Sequence, residues 1–177
     1  MSKRVFLGGT CANDTNWREE IIPLLEKAGV EYFNPVIESG DWDEEAQQRE
    51  LDEREKCDFC LYTISPKMTG AYSIAEVTDD SNKCPEKVIF VLLEKDGEDV
   101  FDEGELKSLE SVGDLVERNG GFFCRNLEAA VLFMYQSTDT TIEDQDDNIK
   151  AATESIKTVD ALFKLSDFPW GRMYYKS

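Results

Sequence analysis

Glu76 is the carboxylate whose surroundings differ most from those of the other acidic residues. It lies in the segment Thr69–Val77, TGAYSIAEV, which is otherwise small, apolar or uncharged. A carboxylate in such a segment is partly desolvated, and near a strand end it suits covalent or electrostatic work at an electrophilic sugar carbon. The alternative is an ordinary glutamate on a helix surface, which is what we expect for most of the other acidic residues.

The composition limits the chemistry that could accompany this carboxylate. The 177 residues include 38 Asp and Glu against 19 Lys and Arg, a net charge of -19, and no histidine. A Ser-His-Asp triad, an imidazole acid or base and a histidine-ligated metal are therefore excluded within this chain, and we expect neither metal nor cofactor. The acidity argues against partners such as nucleic acid or an anionic membrane surface. Small neutral or weakly charged ligands remain open.

Two loops offer binding groups. Gly8-Gly9-Thr10 ends an apolar run but fits neither the P-loop pattern nor the dinucleotide fingerprint. Such a turn brings backbone N–H groups close to a sugar or a small phosphate at a helix start. Trp42, next to Asp41, could stack on a planar base. The alternative is that this tryptophan covers the loop and the core.

The five cysteines form no recognisable framework. Their odd number and scattered positions are typical of reduced thiols, and Cys57 and Cys60 lack the second ligand pair that a metal site needs. We expect Cys57 to end a helix and Cys60 to lie in a strand, where both simply pack. Because no secretory signal follows Met1 and no apolar stretch reaches the roughly 20 residues of a membrane span, we expect a cytoplasmic protein.

Short apolar runs alternate with amphipathic segments along most of the chain. The pattern predicts five strands, near residues 4–7, 30–33, 59–64, 88–93 and 122–124. It predicts helices from residue 17 and over 43–56, 70–81, 105–118 and 127–135. This alternation is typical of an α/β fold with a parallel, doubly wound sheet, in which ligands bind beyond the carboxyl ends of the strands. On the charged helix, Arg49 and Arg54 should pair with neighbouring glutamates on a solvated face.

The carboxyl-terminal residues do not continue the alternation. We predict a domain over residues 1–136 and an extension over 137–177. The extension would comprise an acidic linker, an amphipathic helix over 149–165 and an aromatic tail over 168–175. The tail would dock on the body or cover a neighbouring subunit.

Six short motifs resemble one known family when taken in order. They are Val5–Thr10, Trp17–Glu19, Phe33–Pro35, Asp41-Trp42, Cys57-Asp58 and Gly70–Glu76. Together they resemble the nucleoside 2-deoxyribosyltransferase superfamily over about the first 135 residues, closest to the nucleoside 2-deoxyribosyltransferase-like branch of bacteria and phages. The resemblance implies a Rossmann-like three-layer fold and a homo-oligomer. It also implies cleavage of the N-glycosidic bond of a nucleoside or nucleotide, with transfer of the sugar to another base or to water.

The resemblance also implies roles for single residues. It places the nucleophile at Glu76 and the acid that protonates the departing base at Glu50, where relatives usually have aspartate. The Gly8–Thr10 turn and the loop at Asn34 would border the sugar, and Asp41-Trp42 the base.

Two departures from the family pattern fall near the nucleophile. Phe6 stands where many relatives have a tyrosine that orients the nucleophile, so Thr10 or Tyr72 would have to do so. Gly70 stands where many have an aspartate.

Two functions are compatible with the sequence. The first is an enzyme that transfers or hydrolyses a glycosyl group through Glu76, acting on a nucleoside, a nucleotide or NAD. Since Arg18, Lys67 and the glycine turn are the only nearby groups that could bind a 5′-phosphate, a free nucleoside is favoured. The second is a non-catalytic nucleoside- or nucleotide-binding module with a regulatory or host-interaction role, which the acidic surface would suit.

Overall fold

A computed structural model of the chain describes residues 2–11, 14–36 and 43–137. The predicted site residues Asp41 and Trp42 lie outside the described residues. The same holds for the predicted helix over 149–165 and the aromatic tail over 168–175, so the predicted domain boundary stays a prediction.

The structure confirms the predicted order of elements. The strands are β1 (Arg4–Gly9), β2 (Glu31–Phe33), β3 (Phe59–Ile64), β4 (Val88–Leu92), β5 (Lys95–Asp96), β6 (Asp99–Val100) and β7 (Phe122–Cys124). The α-helices are α1 (Trp17–Lys27), α2 (Glu44–Lys56), α3 (Tyr72–Lys83), α4 (Glu103–Asn119) and α5 (Leu127–Gln136), and a 3-10 turn spans Pro85–Lys87. One feature differs from the sequence prediction. The acidic segment after β4 forms a short antiparallel hairpin, β5–β6, which turns at Gly97 with a φ of 65°.

Five of the strands form one parallel sheet in the order β2-β1-β3-β4-β7. The chain leaves β1 towards one edge of the sheet and returns through β3 to build the other half. Strand order therefore reverses between β1 and β3, which is where ligands bind in open α/β sheets. The fold is α/β and Rossmann-like, with helices on both faces of a five-stranded parallel sheet, as predicted.

Alternate side chains of the strands supply two cores, one on each face of the sheet. Val5 and Leu7 point to the core shared with α1 and α5, whereas Phe6 points to the core shared with α3 and α4. This alternation is the ordinary period of a strand buried on both faces. Cys57 and Cys60 are free thiols buried in the second core, so the prediction that they only pack is confirmed.

The carboxyl ends of β1 and β3 are joined by close backbone contacts. The Thr10 amide donates to the Thr63 carbonyl at 2.8 Å, and the Ser65 amide donates to Thr10 Oγ1 at 3.0 Å. Gly9 makes this approach possible, because its φ is 115° and a Cβ there would lie 2.1 Å from the Thr63 carbonyl oxygen. The glycine therefore allows the loop after β1 to lie directly against the end of β3, at the point where the strand order reverses.

Replacing Gly9 by alanine tests this constraint. We expect Gly9→Ala to lower the free energy of unfolding by at least about 2 kcal/mol, since the left-handed conformation and the backbone clash act together. Gly70→Ala is the matched control, because a Cβ at Gly70 meets no atom within 4 Å. That control should stay within about 0.5 kcal/mol of the parent. Equal urea midpoints for the two variants would contradict the proposed role of Gly9.

Candidate active site

Glu76 lies in the second turn of α3 on the face that packs against the sheet. Its residue surface is 8% exposed, and Asp80, one turn later on the same face, is 5% exposed. Residues four positions apart on a helix are neighbours, so α3 presents two carboxylates to the interior at one place. Two buried carboxylates are unfavourable unless a cation compensates them.

Arg54, in the last turn of α2, provides that cation. Its Nη1 donates to Glu76 Oε1 at 2.6 Å and its Nη2 donates to Asp80 Oδ1 at 2.9 Å. The hydroxyl of Tyr62, a fully buried residue of β3, donates to Asp80 Oδ2 at 2.5 Å. The expectation that Arg54 pairs with glutamates of its own helix is therefore wrong. Its side chain is only 16% exposed and crosses to α3, where the buried negative charge lies.

The burial of these groups changes their ionisation. Desolvation raises the pKa of Glu76 to about 7, although Arg54 opposes this rise, and the charges of Glu50 and Asp80 add to it. For Arg54, burial acts to lower the pKa, but Tyr62, Asp80 and Glu76 outweigh it and the pKa is raised. The guanidinium therefore stays charged, while Glu76 populates both protonation states near neutral pH.

Glu50 belongs to the same neighbourhood. It is a half-buried residue of α2, one helical turn before Arg54. Its charge raises the pKa of Glu76 and also acts to raise that of Arg18. The two residues that the resemblance implies as nucleophile and acid therefore influence each other electrostatically.

The Gly8–Thr10 turn is held by the first residues of α1. Arg18 is 7% exposed; its Nη1 donates to the Thr10 carbonyl at 2.7 Å and its Nη2 to the Leu7 carbonyl at 3.0 Å. The Trp17 indole donates to the same Thr10 carbonyl at 2.9 Å, and its ring lies 4.1 Å from the guanidinium of Arg18. Burial lowers the pKa of Arg18. This arginine holds the loop in place, because both of its terminal nitrogens donate to backbone carbonyls of the chain.

Asp96, in the hairpin after β4, ties three loops together at the same edge of the sheet. Its carboxylate accepts from Thr15 Oγ1 at 2.5 Å and from Ser65 Oγ at 2.8 Å, and Lys67 Nζ lies 3.7 Å away. Lys67 also donates to the Asp14 carbonyl at 2.6 Å. Sequence reasoning missed Asp96, because nothing distinguishes it from its exposed acidic neighbours until the hairpin folds back over the sheet.

Two further predicted residues, Asn34 and Tyr72, lie at exposed positions of the described chain. Asn34 is exposed after β2, where its Oδ1 accepts from the Val36 amide, and Tyr72 is 66% exposed at the start of α3. Phe6 is fully buried and its ring stacks on that of Phe33. The expectation that Thr10 or Tyr72 orients Glu76 is wrong in this structure, since the hydrogen bond to that carboxylate comes from Arg54. The hydroxyl oxygen of Thr10 instead accepts from the Ser65 amide.

The fold and the site define a class of protein: a doubly wound α/β domain with two close carboxyl groups beside the point where strand order reverses. A family model described as nucleoside 2-deoxyribosyltransferase like matches residues 2–95, more than half of the chain. The chain belongs to this family, and its function is nucleoside deoxyribosyltransferase-like in general terms. A comparison with curated proteins gives no match.

The described ranges contain neither a metal-binding cluster nor a membrane-spanning helix. No group of three or more Cys, Asp or Glu side chains in residues 2–11, 14–36 and 43–137 is arranged to hold a metal ion. Across the same ranges, no helix is both long enough and apolar enough to cross a membrane.

The role of Asp96 can be tested by its removal. We expect Asp96→Ala to lower the free energy of unfolding by about 1–3 kcal/mol, because the Thr15 and Ser65 hydroxyls lose their acceptor. Glu98→Ala, at an exposed position of the same hairpin, should change it by less than about 0.5 kcal/mol. Urea unfolding of both variants measures the difference, and similar losses for the two would show that Asp96 does not join the loops.

Proposed function

We propose that the chain cleaves the N-glycosidic bond of a 2-deoxyribonucleoside and transfers the sugar to another base or to water. Glu76 is the nucleophile and Glu50 is the general acid. The observation that carries this proposal is the burial of Glu76 against Arg54, with a second carboxyl group close by, in a chain of the nucleoside 2-deoxyribosyltransferase-like family.

The first half of the reaction forms a glycosyl-enzyme ester. A carboxylate oxygen of Glu76 forms a bond to C1′ while the C1′–N bond breaks through an oxocarbenium-like transition state. The electron pair of that bond leaves with the base, whose nitrogen takes a proton from the carboxylic acid of Glu50. The sugar is then held as an ester of Glu76.

The second half reverses the roles. A nitrogen of the incoming base, or the oxygen of water, attacks C1′ and loses its proton to the carboxylate of Glu50. The ester C–O bond breaks and its electron pair returns to Glu76, so both residues regain their starting states. Two displacements retain the configuration at C1′, and two carboxyl groups suffice for them, which suits a chain without histidine.

The edge of the sheet supplies the surroundings for the sugar and the base. In this proposal the Gly8–Thr10 turn and Asn34 border the sugar, and Asp41, Trp42 and Tyr72 border the base. The hydrogen bonds that join the carboxyl ends of β1 and β3 support this placement, because they lie where strand order reverses and where ligands bind in open α/β sheets.

The charges around the site favour a nucleoside over its 5′-monophosphate. Both cations that sequence reasoning offered for a phosphate are engaged: Arg18 by backbone carbonyls, and Lys67 by Asp14 and Asp96. Ionised Glu76 and Asp80 add negative charge that would repel a phosphate. The substrate is therefore an uncharged deoxynucleoside.

Substitution of Glu76 tests the enzymatic proposal. We expect the parent protein to exchange or release the base of at least one deoxynucleoside, and Glu76→Gln to lower the rate by about a thousandfold or more, since an amide is a poor nucleophile. Asp79→Asn, an exposed carboxylate of the same helix that pairs with Lys83, should keep the parent rate. Chromatography of free bases after incubation with a deoxynucleoside panel, with NAD included, measures this. Binding of nucleosides without any release of base would favour a non-catalytic binding module instead.

The preference for an uncharged substrate is a separate prediction. We expect kcat/KM for a deoxynucleoside to exceed that for its 5′-monophosphate by about tenfold or more, because the site offers negative charge and engaged cations. Competition between the two substrates in one reaction measures the ratio directly. A preference for the monophosphate would show that Arg18 or Lys67 changes partners when substrate binds.

A further inference from the structure

We propose that Arg54 is a positioning residue for the reaction: anchored by Asp80 and Tyr62, it holds one oxygen of Glu76 and leaves the other to attack C1′. This inference rests on the proposed role of Glu76 as the nucleophile. It assigns a function to three residues, on α2, α3 and β3, that the sequence did not single out for the site.

The contacts divide the two oxygens of Glu76. Nη1 of Arg54 donates to Oε1 at 2.6 Å, and no described side chain or amide donates a hydrogen bond to Oε2. A single strong, charge-assisted bond restrains one carboxylate oxygen without occupying the other. Oε2 therefore keeps its lone pairs for bond formation, while the side chain is held against the sheet by Oε1.

Asp80 serves to hold the arginine and is not available to react. Its Oδ1 accepts from Nη2 of Arg54 at 2.9 Å, and its Oδ2 accepts from the Tyr62 hydroxyl at 2.5 Å. Both oxygens are thus engaged, and the tyrosine that anchors them is fully buried in β3. Tyr62, Asp80 and Arg54 thus connect the sheet to Glu76. The planar guanidinium restrains Glu76 more tightly than a flexible ammonium would, because its donors have a fixed geometry.

Arg54 serves both halves of the proposed reaction. When Oε2 bonds to C1′, Oε1 becomes the carbonyl oxygen of the ester and still accepts from Nη1. When the C1′–Oε2 bond breaks, the electron pair returns to a carboxylate that the guanidinium stabilises. The arginine therefore improves Glu76 as a leaving group in the second half, without itself touching the sugar.

The charged and titratable groups around Glu76 come from three elements. Arg54 and Glu50 approach from α2, Asp80 from its own helix, and Tyr62 of β3 contacts Glu76 only through Asp80. Arg54 lowers the pKa of Glu76, whereas Glu50 and Asp80 raise it. Removal of the arginine must therefore raise the pKa of the nucleophile, and removal of the Asp80 charge must lower it.

The test compares pH profiles of kcat/KM for Arg54→Gln, Asp80→Asn and the parent protein. Ionised Glu76 is the reactive form, so activity rises with pH through its pKa. We expect the acid limb to move up by about one pH unit or more in Arg54→Gln and to move down in Asp80→Asn. Arg49→Gln, an exposed arginine of the same helix, should keep the parent profile.

Arg54→Lys separates charge from geometry. The ammonium keeps the positive charge but cannot bridge Glu76 and Asp80 in one plane. We expect its acid limb to stay within about half a pH unit of the parent, with a plateau at least about tenfold lower. Shifts of the acid limb in the same direction for Arg54→Gln and Asp80→Asn, or equal loss of activity at every pH in Arg54→Gln, would overturn the proposal.

The titration of Glu76 can also be followed without turnover. Carbon-13 NMR of the glutamate carboxyl groups, assigned with Glu76→Gln, reports the pKa of Glu76 in each variant directly. If the parent protein releases no base, the proposed function fails, and the two opposite shifts in this titration still decide whether Arg54 and Asp80 act on Glu76 as inferred. If base is released but the NMR shifts are absent, only the inference about Arg54 is overturned.

Discussion

The site depends on one requirement: two carboxylates buried side by side on α3 must be compensated. Arg54 meets that requirement with a single guanidinium that bonds both Glu76 and Asp80. Without it, desolvation and the charge of Asp80 would raise the pKa of Glu76 further, because Arg54 is the group that opposes this rise. The same side chain links α2 to α3, although α2 buries no residue of its own. The charge environment of Glu76 and the link between these two helices therefore depend on the same arginine.

The other half of the site is built from backbone contacts. Gly9 allows β1 to approach β3, and Arg18 holds the loop that follows by two backbone carbonyls. Asp96 then ties the hairpin to Thr15 and Ser65. Because these groups are hydrogen-bonded within the protein, they hold the loops at the edge of the sheet in one arrangement. The proposed chemistry is left to the two glutamates, and most of the net charge of -19 lies elsewhere in the chain.

Much of this could be predicted from the sequence, and the reasons for the failures are physical. Alternating apolar runs and helical periodicity predicted the parallel sheet, and a carboxylate in an uncharged segment drew attention to Glu76. The partner of Arg54 could not be predicted, because on α2 it is surrounded by glutamates at helical spacing that are equally plausible partners. Asp96 was missed for a similar reason. Its burial depends on a hairpin whose strands have two residues each, which is too short for an alternation of polar and apolar residues to be recognised.

The proposed mechanism requires Glu76 to carry the sugar covalently, and mass spectrometry can detect that intermediate when it is trapped. A 2′-fluoro-2′-deoxynucleoside slows both halves of a retaining reaction because fluorine destabilises the oxocarbenium-like transition state. With an activated base as leaving group, the ester accumulates. The proposed mechanism predicts a mass increase of one fluorinated sugar on the tryptic peptide 68–83, localised to Glu76. Release of the base with no adduct, or an adduct on a different residue, would contradict it.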